Sequence, residues 1–365
     1  MRILHVISSP AAGGAEVYIK DLVIELKKSG HYVAVGFLDR AVDMKRSQEY
    51  EESFLSELNA ASVPYFFIGH ETRKKVWLGA WRVRKFINKN NINIYHSHLP
   101  YGAFFGFFLR VTRIYTHHSI KARMSSFQYF FLNSQVDAYI GISELCSKNL
   151  ESYTNRKVKT ILNAVDFNKI KPLNKSDKNS SAFQALAVGR IHPHKNYLFM
   201  LDVISRLPEQ IKLNFRLKIA GEGELDEKQK ILDSIENNGL HNIVSLLGNR
   251  SDIPDLLAES DVFLMSSIQE GLPIALIEAA ATGLPCIVTD VGGCSEVINI
   301  CENGFFVEAD DFYEYSKKLT ELVNNKALRK VFSDNALVKS AVFNIKNSAE
   351  EHISFYNKLL SKNRL

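Results

Sequence analysis

The chain has 365 residues, of which 46% are hydrophobic, 23% charged and 11% aromatic, with a formal net charge of +5. That composition excludes a disordered or fibrous chain, and the length suits two domains that each bury a core of their own. The longest apolar stretch, residues 101–109 (YGAFFGFFL), is far below the ~20 residues that a membrane span needs. The start, MRILHVISSP, is too short and too early broken by proline to read as a signal peptide. Cys146, Cys286, Cys294 and Cys301 show neither a CxxC pair nor His/Cys ligand spacing. No zinc site or disulfide is therefore predicted, and the expected compartment is a reducing cytoplasm.

The predicted elements alternate. Residues 2–8 (RILHVIS) form a short apolar run suited to a buried parallel strand. The turn SPAAGGAE follows. Residues 17–28 then place apolar side chains at 18, 19, 22, 23 and 26, the period of an amphipathic helix, with Gly30 where a C-cap belongs. Further strands are predicted at 32–38, 65–68, 94–97, 114–117 and 138–142, with helices in the gaps. Polar residues 169–181 (KIKPLNKSDKNSS) break the rhythm as a linker. A second series begins with the strand at 183–188 and continues through 215–220, 244–247, 262–265, 285–289 and 304–307, closing on a helix at 348–360. Strands alternating with helices predict α/β domains with doubly wound parallel sheets. The division expected is residues 1–167, a linker at 168–182, a second domain at 183–347, and a C-terminal helical segment at 348–365 packing back toward the first domain. Ligands of such sheets sit at the C-terminal strand ends, so two domains facing each other would share a cleft.

Charge is uneven. Residues 1–167 hold 22 Lys and Arg against 14 Asp and Glu, and the remainder 23 against 26. Between Glu71 and Asp137 there is no acidic residue, but eleven basic ones: Arg73, Lys74, Lys75, Arg82, Arg84, Lys85, Lys89, Arg110, Arg113, Lys121 and Arg123. Trp77 and Trp81 lie among them, one helical turn apart. A basic face with aromatics attracts nucleic acid or anionic lipid. It could also be a solvated helix face whose acidic neighbours come from elsewhere in the fold.

Four segments carry candidate chemistry. Gly13-Gly14, at the first strand–helix turn, permits close backbone approach to a ligand. It lacks the full G-x-G-x-x-G and so speaks against a dinucleotide cofactor. His117-His118 follows a strand at the rim where working residues are expected, as do His96 and His98. Each could equally be structural, and no carboxylate or cysteine joins them at metal-ligand spacing. In VGRIHPHKN (188–196) a strand ends and a turn brings Arg190 and Lys195 forward, two cations suited to a diphosphate leaving group. In EGLPIALIE (270–278), Pro273 suits a helix's first turn, where the N–H groups of Gly271, Leu272, Pro273 and Ile274 would face an anion. Glu270 before that helix and Glu278 within it can accept hydrogen bonds from sugar hydroxyls. There is no Asp-x-Asp pair, so a metal-dependent nucleotide-sugar site of that kind is not expected.

These residues resemble the family-4 retaining glycosyltransferases, which have the GT-B architecture of two Rossmann-like domains. The resemblance covers essentially the whole chain. It is carried by GGAE (13–16), His118 after its strand, SE (143–144), NAVD (163–166), VGRI…HKN (188–196), GEGEL (221–225), LLGNRSDIPDLL (246–257) and EGLPIALIEAAATGLPCIVTD (270–290) with its E-x7-E motif. The family often has glycine where Ala164 stands here. The resemblance implies that Arg190 and Lys195 hold the donor diphosphate, Glu278 the ribose and Glu270 the transferred sugar. Backbone N–H groups of Gly13-Gly14 and of 271–274 would complete the phosphate cradle, with Asn249 and Arg250 beside the base. His118 would lie near the transferred sugar and acceptor, with acceptor specificity near 124–131. It also implies an α-linked product formed with retention, in which the leaving diphosphate helps deprotonate the acceptor, and no cofactor or metal. The expected substrates are a nucleotide sugar, UDP-linked rather than GDP-linked, and a polyprenyl-linked or oligosaccharide acceptor in O-antigen, capsule or exopolysaccharide synthesis. The basic stretch 72–136 would bind the anionic inner membrane from the cytoplasm. A soluble sugar or sugar-phosphate acceptor, or a nucleotide-sugar epimerase of similar architecture, is the alternative. A basic protein binding nucleic acid without catalysis would not need Arg190, Lys195, Glu270 and Glu278 together, so no nucleic-acid partner is expected.

Overall fold

A computed structural model of the chain describes residues 1–107, 109–120, 125–173 and 182–362. They form two compact units, one of Met1–Val165 with Asn344–Leu365, the other Asp166–Phe343. Most of the polar 168–182 segment lies outside the described residues; its first residues end a short 3-10 turn, Phe167–Lys169.

The first unit is built on seven strands: β1 (Arg2–Ile7), β2 (Tyr32–Phe37), β3 (Tyr65–Phe67), β4 (Ile94–Ser97), β5 (Thr112–His117), β6 (Ala138–Gly141) and β7 (Lys157–Thr160). Their order is β3-β2-β1-β4-β5-β6-β7, every pairing parallel. Parallel strands need covering on both faces, which is why β1 and β2 are mostly apolar and why β1, β2 and β4 are buried almost throughout, β4 with His96 and Ser97 among its buried residues. β7 (KVKT) was not expected from the sequence. It is an edge strand with Lys157 and Lys159 outward, so it has no continuous apolar run to announce it.

The first helix, Gly14–Lys28, starts three residues earlier than its apolar period, because Gly13 serves as its N-cap. The last helix, Ile345–Lys362, packs against it and ties Tyr18 to Ser348 by a hydroxyl–hydroxyl bond of 2.8 Å. The helix Ser126–Gln135 opens with a capping box in which Ser125 and Gln128 satisfy each other's backbone N–H groups. Ser143 caps the helix Glu144–Glu151 through the Cys146 N–H, which explains the serine of the SE pair.

The second unit holds β8 (Phe183–Val188), β9 (Phe215–Ala220), β10 (Val244–Gly248), β11 (Val262–Met265), β12 (Cys286–Thr289) and β13 (Gly304–Val307), in the order β10-β9-β8-β11-β12-β13. All these pairings are parallel as well. Its core gathers Phe199, Phe215, Leu217, Val262, Leu264 and Tyr315. Among the described residues, no helix is long and apolar enough to cross a membrane.

Candidate functional site

In an open parallel sheet, ligands bind beyond the carboxyl ends of the strands where the strand order reverses. In the second unit that point lies between β8 and β11, since the chain winds outward to β10 on one side and to β13 on the other. The loops leaving those two strands carry Arg190, Lys195 and Glu270. Lys195 Nζ donates to Glu270 Oε1 at 2.5 Å, the two side chains being 23% and 13% exposed. Ser267 Oγ donates to the same oxygen at 2.6 Å, which fixes the carboxylate's rotamer. Ser266 Oγ donates to the main-chain oxygens of Lys195 (2.8 Å) and Asn196 (3.0 Å), so the two loops are tied together. Arg190 stands exposed on the same β8 loop.

Two glycines let that loop lie where it does. A Cβ on Gly221 would stand 2.0 Å from the Gly189 carbonyl oxygen, and one on Gly223 2.1 Å from that of Ile191. The glycines of GEGEL are thus the floor under the Arg190–Lys195 turn. Gly293 does the same beneath Glu270's neighbour: its N–H donates to the Gly271 carbonyl at 2.8 Å, and a Cβ there would come within 2.6 Å of that oxygen. Neither role, nor those of Ser266 and Ser267, was read from the sequence. Small residues crowded around a motif were the only available signal.

The helix after Glu270 runs Ile274–Thr282, with Pro273 as its N-cap in extended backbone (φ −75°, ψ 121°). This corrects the expectation for Pro273 in two ways. It stands one step before the helix rather than in its first turn, and proline has no N–H, so Gly271, Leu272 and Ile274 are the segment's N–H donors. Glu278 is the fifth residue of the helix and half-buried. Asn249 and Arg250 follow β10, two strands from β8, and both are exposed. Arg250 is engaged there by Asp252 in a two-point pair of 2.5 and 2.8 Å.

In the first unit the order reverses between β1 and β4. The β1 turn ends at Gly13, where a Cβ would meet the Glu16 carboxylate at 2.1 Å; that carboxylate folds back to accept from Ser8 Oγ at 2.6 Å. Gly13 therefore makes room for Glu16 of its own GGAE turn, and Gly14 opens the helix. The doublet at the end of β5 divides: His117, the last residue of the strand, is buried and bonded to Tyr115, whereas His118, just past it, is half-buried and faces His98. Successive residues at a strand end point to opposite sides, so only one of the pair can stay at the rim.

His118 ends a buried imidazole cluster. His5 Nδ1 and His98 Nε2 are 2.9 Å apart, and His98 Nδ1 and His118 Nε2 3.0 Å. His96 bonds Tyr356 and Thr116, each at 2.6 Å, and His352 donates to the Ser348 carbonyl at 2.8 Å. Burial disfavours the charged form and pushes His5 down to about 3 and His352 to about 4, with His96 and His98 held well below the ordinary range. His5, His96 and His98 bring ring nitrogens within 4.8 Å of one another, close enough to share a metal ion. Both nitrogens of His96 and both of His98 are already committed to hydrogen bonds, so the arrangement is that of a bonded polar core.

Residues 12–169 match the model of Glycosyltransferase Family 4, and residues 168–338 that of Glycosyl transferases group 1, the two matches overlapping at 168–169. The chain belongs to the family-4 glycosyltransferases. Over 195 residues it is 34% identical to the UDP-Gal:alpha-D-GlcNAc-diphosphoundecaprenol alpha-1,3-galactosyltransferase of Escherichia coli, a match spanning 51% of this chain and about half (50%) of that protein. Over 361 residues, 96% of this chain and 97% of the relative, it is 24% identical to a Campylobacter jejuni alpha-1,4-N-acetyl-D-galactosaminyltransferase named for a PP-undecaprenol-linked saccharide. Its fold matches the crystal structure of Anabaena HepE in complex with UDP and glucose, at a TM-score of 0.83 and 18% identity over 98% of this chain and 99% of that one. That likeness gives this glycosyltransferase the GT-B fold.

The basic stretch of the glycosyltransferase is less free than its sequence suggests. Arg73 is held at 2.6 Å by Asp39, whose side chain is fully buried and also bonds His70. Arg82 pairs with Glu71 and Arg113 with Asp137, at 2.7 and 2.9 Å. Their acidic partners lie just outside the stretch in sequence and return through the fold. Lys74, Lys75, Arg84, Lys85 and Lys89 remain exposed, on or beside the helix Val76–Lys89 that also presents Trp77 (70% exposed) and Trp81 (56%). Lys121, Arg123 and Met124 lie outside the described residues. The rest of the 124–131 segment presents Phe127, Phe130 and Phe131 to solvent.

Proposed function

We propose that this glycosyltransferase moves a hexosyl or N-acetylhexosaminyl unit from a UDP-sugar to a polyprenyl-linked or oligosaccharide acceptor, with retention and without a metal, in the synthesis of a cell-surface polysaccharide. The observation that carries this reading is the Lys195–Glu270 pair at the strand-order reversal of the second unit. Without ligand, Glu270 neutralises Lys195. A diphosphate offers the lysine a more highly charged partner, and Glu270 is then released to accept hydrogen bonds from hydroxyls of the transferred sugar. Arg190 on the same turn adds the second cation, and the N–H groups of Gly14, Gly271, Leu272 and Ile274 are the assigned backbone donors to phosphate. We assign Glu278 to the ribose, Asn249 and Arg250 to the base, and His118 to the transferred sugar and acceptor. The relatives named for undecaprenol-linked substrates support the acceptor class, and the UDP complex of the structural neighbour supports the nucleotide.

Two cations at the leaving group do the work of a metal ion, neutralising charge as it develops. Transfer from a panel of UDP- and GDP-sugars to an undecaprenyl-diphosphate-linked saccharide is therefore expected to proceed undiminished in excess EDTA. Loss of turnover in EDTA, restored by magnesium or manganese, contradicts the metal-free reading.

The exposed lysines and tryptophans of the helix Val76–Lys89 support a cytoplasmic enzyme bound reversibly to an anionic membrane surface. Each Lys near such a surface contributes about 1 kcal/mol, and tryptophan favours the interface. Replacing Lys74, Lys75 and Lys85 by glutamate is expected to weaken sedimentation with phosphatidylglycerol vesicles by about 100-fold or more at low salt. UDP binding should not change. Arg73 is left out because its carboxylate partner is buried. Equal retention of the triple variant and the parent on these vesicles overturns the membrane reading.

A further inference from the structure

The rim of the first unit holds another polar constellation, on the loops that leave β2 and β3. Asp39 is fully buried, and both its oxygens accept from Arg73: Nε lies 3.2 Å from each, and Nη2 2.6 Å from Oδ2. A carboxylate so placed has no proton to give. In the 2.7 Å contact between Asp39 Oδ1 and His70 Nδ1 the imidazole is therefore the donor. The neutral ring is thereby fixed as its Nδ1–H tautomer, with the lone pair on Nε2. The His70 side chain is 52% exposed, and its Nε2 has no hydrogen-bond partner among the described residues. The mount is rigid. The Asp39 N–H donates to the Ser8 carbonyl at 2.8 Å and the Gly69 N–H to that of Leu38 at 3.1 Å, so the loops after β1, β2 and β3 are tied in series. Gly69 makes the turn before His70 at φ +106°, a backbone that favours glycine.

We infer that His70 accepts a hydrogen bond from a hydroxyl of the acceptor's second sugar, the one next to the residue that receives the new unit, and that Asp39 is its positioning residue. With strands ~4.8 Å apart, the ends of β2 and β3 lie ~7–12 Å from the reversal between β1 and β4 where the reacting sugar belongs. That is farther than one pyranose spans, so His70 meets what is attached to the reacting sugar. Of the parts of such an acceptor, a sugar supplies what a lone pair on Nε2 needs. A diphosphate offers oxygens that only accept, and an isoprenoid chain offers neither donor nor acceptor. The acceptor class rests on the function proposed above, but the His70 tautomer and its open lone pair do not.

The test has a binding arm and a transfer arm. In the first, the full chain labelled with 15N-histidine is saturated with UDP at pH 8 and titrated with α-linked disaccharides of hexoses and N-acetylhexosamines, or with the matching methyl monosaccharides. His70→Gln identifies the His70 signals by their loss. The parent is expected to show His70 as the Nδ1–H form, with an Nε2 signal that moves on addition of a disaccharide and stays still with the monosaccharides. In the second arm, transfer is compared between undecaprenyl-diphosphate acceptors carrying one sugar or two. The preference for the two-sugar acceptor, as kcat/KM, should fall about 3–10-fold in His70→Ala. It should be kept in His70→Gln, whose amide can donate to Asp39 and still accept from a hydroxyl. A His70 protonated on Nε2, or an Nε2 signal that no disaccharide moves, overturns the inference. So does an unchanged preference in His70→Ala, the result expected if His70 only ties the two loops together. A parent protein whose Nε2 signal responds to a disaccharide but which transfers to neither acceptor overturns the proposed function alone.

Discussion

Lys195→Ala is expected to weaken UDP binding about 10–150-fold, the 1.5–3 kcal/mol of a charged hydrogen bond, and Glu270→Ala added to it to recover much of that loss. The reason lies in the pair itself. Removing the lysine alone leaves the Glu270 carboxylate, 13% exposed and anchored by Ser267, uncompensated where the diphosphate is assigned. The nucleotide then loses an attraction and meets a repulsion. Glu270→Ala alone removes Lys195's competing partner, so UDP should bind as well as to the parent or more tightly, while transfer falls about 100-fold or more because the sugar's acceptor group is gone. Titration calorimetry with UDP on the four proteins closes a double-mutant cycle. Additive losses, with the double variant as weak as Lys195→Ala, show that Glu270 does not face the diphosphate.

Glu278→Ala is expected to weaken UDP itself about 10–150-fold, since its assigned partner is the ribose rather than the sugar being moved. The effect should appear mainly in donor KM, as loss of binding common to ground and transition states does. It should also vanish with a nucleotide lacking the ribose hydroxyls, because the carboxylate then has nothing to accept from. A parent enzyme and a Glu278→Ala variant that discriminate equally between UDP and its dideoxy analogue would remove Glu278 from the ribose.

Much of this architecture could be read from the residues in order. Buried parallel strands are short and almost wholly apolar, so twelve of the thirteen strands could be read as runs such as RILHVI and FQALAV. The exception, β7, is a half-exposed edge whose alternation of lysine with valine and threonine has no apolar run in it. The E-x7-E segment and the VGRI…HKN turn were legible because their residue types are unusual for their position: two cations on one turn, and a carboxylate on either side of a helix start. Pro273 was placed one residue too far along, since a proline at the cap and one in the first turn leave the same trace in sequence.

The contacts that give these residues their chemistry were not legible. Lys195 and Glu270 are 75 positions apart, and His5 and His98 are 93 apart. Sequence patterns report what lies within a few residues of a position, whereas neighbours in a parallel sheet are set by the order in which crossovers lay strands side by side. Asp39 could not be assigned to Arg73 for the same reason, and the basic stretch looked freer than it is. Local apolar runs, periods and caps set which elements form and which residues stand at their ends. The tertiary structure alone decided that Lys195 rests on Glu270 and that His118 is reached from β1 through His98, because burial and register choose a side chain's partner only once the strands are paired.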